Sequence, residues 1–270
     1  MLVWGFTVSL LGAVLAYYKQ ALTGSGTLAA IIVGTLIAGW GGWIWFTVLA
    51  AFFVSSSAWS FYRREAKGAI ARDFAKTGRR DFMQVMVNGG PSAVLAVLGA
   101  SSTLLPGAFL FFMGMMATAN ADTWATELGV FSQGKTRSIR SGCIVPAGTS
   151  GGISLLGTAA GAGGALFIGL VGEGVQVFLK NPGLPIGSLL LLGLLGGVAG
   201  CLIDSWLGAT VQSRYRCRVC GKLTEKLRHC QRTTIRAGGW RWMGNDLVNL
   251  LSSLGGGSIA WVTAWCFSLF

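Results

Sequence analysis

The sequence predicts an all-α polytopic membrane protein, a Gly-rich bundle of about seven to eight transmembrane segments, some of them broken or re-entrant. Three observations carry this expectation. Of 270 residues, 53% are hydrophobic and only 11% are charged, where a soluble domain of this size carries about 25% charged residues. Several apolar runs reach about 18 residues or more, enough to span a hydrocarbon core about 30 Å thick. The 42 glycines let helices approach closely and also permit broken helices.

The elements follow in order. The run 2–18 has no basic leader and no clear small-residue cleavage site, so it reads as a retained helix rather than a signal peptide. Residues 27–60 are too long for one span and slightly short for two. "GWGGW" (39–43) breaks them into 27–40 and 42–60, and 27–40 reads either as a span or as a re-entrant half-helix. Runs 82–101 and 104–128, joined by "SSTLLPG", form one hairpin. Runs 150–172 and 186–212, joined through "GEGVQVFLKNPGLP", form another, and 246–268 is the last span. Glu173, within that second connection, reads as an exposed loop residue. The whole chain, 1–270, reads as a single membrane domain without a long-period repeat.

Lys and Arg are clustered. Seven fall in 61–80, three in 133–140 and nine in 214–241, leaving only Lys19 and Lys180 elsewhere. The positive-inside rule makes the basic loops 61–81 and 213–242, and the shorter one between them, cytoplasmic. The net charge of +12 is therefore a topology signal and an attractor of anionic lipids or nucleotides, not a nucleic-acid footprint. The protein is expected to cross its membrane many times, and in a prokaryote that is the cytoplasmic membrane. If Lys19 is cytoplasmic the segments number eight, and otherwise about seven.

The few polar residues of the apolar runs converge on that same side. Asn88 follows Arg80 by eight residues, Glu127 precedes Lys135 by eight, Gly148 follows Arg140 by eight, Asp204 precedes Arg214 by ten and Asp246 follows Arg241 by five. At 1.5 Å per residue each lies roughly 8–20 Å from a basic cluster. Intramembrane carboxylates generally mark a functional site. Asp122, Asp204 and Asp246, helped by Asn88, Asn245 and Asn249, offer hard oxygen ligands suited to Mg²⁺, an ion usually shared with substrate phosphates. "GTSGG" (148–152) reads as the opening of a helix whose free amides would cradle phosphate through Gly148, Thr149, Ser150 and Gly151. A flexible turn is the plainer reading of that stretch. Lys135, Arg137 and Arg140 would supply positive charge. Asp122 and Glu127 stand about 140° apart around an ideal helix, so Glu127 is expected to have a separate task.

Cys143, Cys201 and Cys266 are isolated and read as packing residues. "CRVCGKLTEKLRHC" (217–230) is different, because Cys217, Cys220, His229 and Cys230 have spacings that suit tetrahedral Zn²⁺. Adjacent His and Cys ligands are unusual, so Cys pairing between copies of the chain, or no metal, stays open. Such a knuckle is expected to be structural, and self-association is an open expectation too.

"NADTWATELG", "PAGTSGGISLLGT", "DSWLGATVQ" and "GWRWMGNDLVN", in this order, resemble an integral-membrane family long catalogued as of unknown function. It includes plant phytyl phosphate kinase and the animal transmembrane protein nineteen. The Cys-containing insertion looks like that of prokaryotic members, and animal relatives lack it, which fits a structural knuckle. The resemblance covers nearly the whole chain. It implies transfer of a phosphoryl group from a Mg-nucleoside triphosphate, with CTP among the candidate donors, to a prenyl monophosphate. Such chemistry needs Mg²⁺, phosphate-binding amides and cations beside an apolar slot. An ion-coupled transporter or lipid flippase is the alternative, and it would place its polar groups near mid-membrane with a path to both sides.

Overall fold

The structure, a computed structural model, describes residues 1–62, 78–100, 107–132, 136–180 and 183–269. Its helices are α1 (Leu2–Tyr18), α2 (Gly24–Leu36), α3 (Gly42–Phe61), α4 (Phe82–Gly99), α5 (Ala108–Gly129), α6 (Leu155–Phe178), α7 (Ser188–Thr210) and α8 (Asn245–Cys266). A π-helical turn, Ile37–Gly41, joins α2 to α3. The chain is a helical, multi-spanning integral membrane protein. Five of these helical stretches are long and apolar enough to cross a membrane, while α1 is a shorter apolar helix. Most of 61–81 lies outside the described residues, as do 101–106 and 133–135.

The stretch Gly24–Phe61 is helical for 38 residues, about 57 Å if straight, nearly twice a bilayer core. It is not straight. Thr23 donates its N–H to the Arg80 carbonyl at 3.0 Å, and the Arg80 guanidinium donates to Ser56 and Ser57 at 2.9 Å. Both ends of the stretch therefore meet at one residue, and the chain folds into a V whose apex is the π turn. Gly42, at φ 74°, makes that apex, because only glycine takes this conformation without a Cβ penalty. The 27–40 run thus comprises most of one leg of the V together with its apex.

α5 is the axis of the bundle. Twelve of its residues, including Phe112, Met113, Met115, Met116 and Asn120, are buried, because α3, α4, α6, α7 and α8 all pack on it. Small residues set these approaches. A Cβ on Gly256 of α8 would overlap the Thr118 hydroxyl and lie 2.6 Å from the Gly196 carbonyl. Thr118 sits in that crossing and directs its hydroxyl at the carbonyls of Gly114 (2.8 Å) and Gly196 (3.1 Å). Asn120 ties three helices, accepting from Ser55 and donating to the Gly164 carbonyl, both at 2.9 Å. Its role is that of interhelical glue, as polar residues in membrane bundles often are. Away from the basic loops the bundle closes on aromatic rings, with Trp45 stacked on Phe112 at 4.4 Å.

Glu173 differs from expectation. It is only 8% exposed, and its carboxylate accepts from the amides of Gly187 (3.0 Å) and Leu189 (3.2 Å). It caps the start of α7, where unpaired N–H groups and the helix dipole favour an anion. Two connections also carry short strands. β1 (Arg137–Ser138) pairs with β2 (Gly152–Ile153). In the 211–244 connection, β3 (Arg214–Arg216) lies between β4 (Leu223–Thr224) and β7 (Ile235–Gly238). Beside that sheet, β5 (Arg228–His229) and β6 (Arg232–Thr233) form a hairpin.

Candidate functional site

At the end of the bundle that carries the basic loops lies a cavity of about 480 Å³. Each wall comes from a different helix. α4 contributes Asn88, in a turn loosened by Pro91, whose missing N–H leaves the Val87 carbonyl without its helical donor. α5 contributes Asp122 and Glu127, α7 contributes Asp204, and α8 contributes Asn245 and Asn249. Asn245 and Asn249 are four residues apart and so share one helix face. With its amide nitrogen turned toward the acceptors, Asn249 donates to Asp204 Oδ2 at 3.0 Å and to the Asn245 carbonyl at 3.3 Å. Ser252 donates to the same Asp204 oxygen at 3.0 Å. A recess of about 20 Å³ adjoins the cavity, lined by Asn88, Asp122, Asn249 and Ser252 among others. That is room for one water-sized particle.

Asp122, Asp204 and Glu225 lie near enough to interact electrostatically, so three carboxylates crowd one space. Among the described residues, the Asp122 carboxylate and the Asn88 amide make no side-chain hydrogen bond. Crowded acids with amide oxygens beside them form a hard, anionic donor set, and the small recess opens beside Asp122, Asn88 and Asn249. The residues present fit Mg²⁺.

Glu127 has the separate surroundings expected of it. It accepts from Ser60 Oγ at 2.7 Å and lies on the side of the cavity that holds Arg80. Both acids nonetheless line one cavity, because the space wraps around the last turns of α5. Among the described residues, Arg80 is the cation that lines this cavity. Burial pulls its pKa down to about 10 and the Glu127 charge opposes that shift, so the guanidinium is charged at neutral pH. Its carbon chain and head pass 5.4 Å over the Phe53 ring.

Gly148, Thr149, Ser150 and Gly151 also line the cavity, but they do not open a helix. Gly148 and Gly151 have φ of 84° and 75°, which turns the chain away from a helical path. α6 begins only after Ser154, whose hydroxyl caps the Gly157 amide at 3.1 Å. The segment is a backbone turn pressed against α7, where a Cβ at Gly151 would strike Ala209. Its own amides and the first turn of α6 both border the cavity.

Three expected residues are placed elsewhere. Asp246 occupies the first turn of α8, where an acid suits the helix dipole, and it does not line the cavity. Arg137 is held by the Gly142 carbonyl at 2.9 Å, and Arg140, like Arg137, is absent from the cavity wall. Lys135 lies outside the described residues. In their place stand Arg80, Gln212 and Glu225. Glu225 folds back from the 211–244 connection and accepts from Ser150 Oγ and Gln212 Nε2, both at 2.8 Å.

The Cys/His group forms a second, separate cluster. One ligand atom from each of Cys217, Cys220, His229 and Cys230 falls within 4.8 Å of the others. Amide N–H groups of Cys220 and Val219, aimed at the Cys217 sulfur, pull that thiol down to about 6. Cys143, Cys201 and Cys266 stand apart as free thiols.

Sequence comparison shows the family. Residues 7–257 match the family described as "Integral membrane protein DUF92". Protein PGR of Arabidopsis thaliana is 30% identical over 242 residues, covering 83% of this chain and 84% of that protein. An uncharacterized membrane protein of Methanocaldococcus jannaschii is 30% identical over 199 residues, covering 73% of this chain and 77% of its own length. The chloroplastic protein VTE6 of Arabidopsis thaliana is 28% identical over 240 residues, covering 87% of this chain and 63% of that protein. No solved structure matches the chain. With one set of motifs running through nearly its whole length, the chain belongs to the DUF92 integral membrane family.

Proposed function

We propose that this protein is a prenyl-phosphate kinase, transferring the γ-phosphoryl group of a Mg-nucleoside triphosphate to a lipid monophosphate at the cytoplasmic membrane face. The observation that carries this reading is the single cavity where Asp122, Asp204, Asn88, Asn245 and Asn249 face the backbone turn 148–151. Its similarity to VTE6, and to a family that includes plant phytyl phosphate kinase, supports an isoprenoid acceptor. The positive-inside rule supports a cytoplasmic mouth, because Arg80, Thr136 and Glu225, all from segments rich in Lys and Arg, line it.

In this reading, Asp122, Asp204 and Asn249 would hold Mg²⁺, with Asn88 and Asn245 beside them. Bound there, the ion would supply neutralisation of phosphate charge. Amides of Gly148, Ser150 and Gly151 would bind phosphate oxygens, while those of Thr149 and Gly152 are already bonded to the Pro146 and Thr149 carbonyls. Arg80 faces the charge that spreads over the transferring group. An oxygen of the prenyl monophosphate forms the new bond to the γ-phosphorus. The bond from that phosphorus to its bridging oxygen breaks, and the nucleoside diphosphate leaves with the electron pair. Ala162 of α6 and Val198 and Leu202 of α7 give the cavity an apolar wall suited to an isoprenoid chain.

The transporter alternative needs a polar path through the bundle. Leu110 through Ala117 of α5 are instead packed among buried Phe and Met side chains, which separate the polar cavity from Glu173 at the other end. The test is direct. Purified protein is incubated with Mg²⁺, each nucleoside triphosphate and a series of prenyl monophosphates, and the diphosphate product is measured. Asp122→Asn is expected to abolish turnover while melting normally. Absence of both turnover and binding for every pair overturns the kinase reading.

A further inference from the structure

We propose that Cys217, Cys220, His229 and Cys230 bind one Zn²⁺, and that this knuckle is the device that seats Glu225 at the rim of the cavity. The inference concerns the loop's architecture and does not depend on which reaction the cavity performs.

Two distances within the cluster are near those of a coordination sphere. The His229 Nδ1 atom stands 3.5 Å from the Cys220 sulfur and 3.3 Å from the Cys230 sulfur. A tetrahedral ion with Zn–S near 2.3 Å and Zn–N near 2.1 Å places neighbouring S and N ligands about 3.6 Å apart. The imidazole therefore faces two sulfurs with one nitrogen, which suits ligation through Nδ1.

The backbone is also shaped for a metal. Cys217–Cys220 is a tight turn in which the Val219 amide points at the Cys217 sulfur at 3.4 Å. Gly221, at φ 72°, returns the chain so that Cys217 N–H reaches the Lys222 carbonyl at 2.9 Å. Amides directed at a sulfur favour its thiolate, the form that ligates. On the other side, β5 and β6 are joined by only Cys230 and Gln231, at φ 49° and 58°. Two-residue hairpins require this left-handed pair, and Asn-Gly is the sequence that adopts it readily. Cys-Gln does so at a cost. Fixing the Cys230 sulfur on an ion offsets that cost and accounts for a cysteine at a position where turn chemistry disfavours one.

Glu225 lies between the two halves of the cluster. β3 runs directly into Cys217, and β4, which pairs with β3, ends one residue before Glu225. Thr224 is buried, and the Glu225 carboxylate reaches Ser150 and Gln212. A metal joining 217 and 220 to 229 and 230 closes a loop with Glu225 at its middle, which limits how far that carboxylate can wander.

The experiment uses the full chain, purified in detergent without chelators. Metal analysis is expected to give close to one zinc per chain. Both Cys220→Ser and the Cys220→Ser/Cys230→Ser double variant should lose most of it. Trypsin supplies the second readout, since Arg216, Arg218, Lys222, Lys226 and Arg228 are all in the loop. Stripping zinc with a chelator should speed cleavage there at least about tenfold, and adding Zn²⁺ back should restore protection. A zinc content near zero that added Zn²⁺ does not raise overturns the site, as does zinc that survives in the double variant. Zinc that binds without altering cleavage between 216 and 228 overturns the seating of Glu225.

Discussion

Replacing Gly256 by alanine should loosen the centre of the bundle. The new Cβ would overlap Thr118 Oγ1 and approach the Gly196 carbonyl to 2.6 Å, so α8 must move away from both α5 and α7. The Gly196 carbonyl is backbone and cannot yield alone, and the Thr118 side chain is fully buried. Overpacking of this kind costs about 1–3 kcal/mol. Separation also weakens the hydroxyl contact with Gly196, worth about 0.6 kcal/mol in a membrane bundle. Alanine returns up to about 1 kcal/mol through its better helix propensity. The net expectation is a loss of roughly 1–3 kcal/mol, or a melting temperature lower by roughly 3–10 °C for a chain of this size. Thermal unfolding in detergent, followed by intrinsic Trp fluorescence, measures it. Gly174→Ala is the control, because a Cβ there meets nothing within 4 Å, and it should melt at or slightly above the parent temperature. If Gly256→Ala melts as high as Gly174→Ala, the three helices are not in contact at this crossing.

Other expectations test different parts of the molecule. Asp204→Asn removes one of three crowded charges, so it should melt no lower than the parent without Mg²⁺; adding Mg²⁺ should then fail to raise its melting temperature as it raises the parent's. Arg80→Lys cannot donate in a fork to Ser56 and Ser57, and a fall of about 1–3 kcal/mol in stability is expected, read as a lower melting temperature; an unchanged one would refute the V held at Arg80. Glu173→Ala leaves two amides at the start of α7 without their acceptor, which costs about 1–3 kcal/mol. It should lower the melting temperature while leaving zinc content as in the parent.

Depth was readable from the sequence, because counting residues from a basic cluster is a distance along a helix axis. Asn88, Asp122, Asp204, Asn245 and Asn249 do meet in one cavity. Rotation was partly readable as well. Asn245 and Asn249 share a face, which leaves Asp246 turned away by about 100°, and the structure keeps it out. Loops that fold back were not readable. Arg80 looks like one more basic loop residue until Ser56 and Ser57 are seen to hold it. Glu225 is hidden in a basic segment whose spacing speaks only of metal ligands. The break in "GTSGG" follows from two left-handed glycines, and composition alone does not distinguish these from glycines that admit a close helix contact.

The burial of α5 bears on how this protein is made. A nascent helix enters the bilayer by partitioning its apolar surface into lipid, yet α5 ends in Asn120, Asp122 and Glu127 and is not among the stretches apolar enough to cross a membrane. Every face of it is spoken for by neighbours, three of which, α6, α7 and α8, are synthesised after it. The axis of the finished bundle is thus its poorest solo inserter. Its stable residence depends on helices still inside the ribosome when it emerges, so truncation before α7 should leave α5 poorly anchored, although all of its own residues are present.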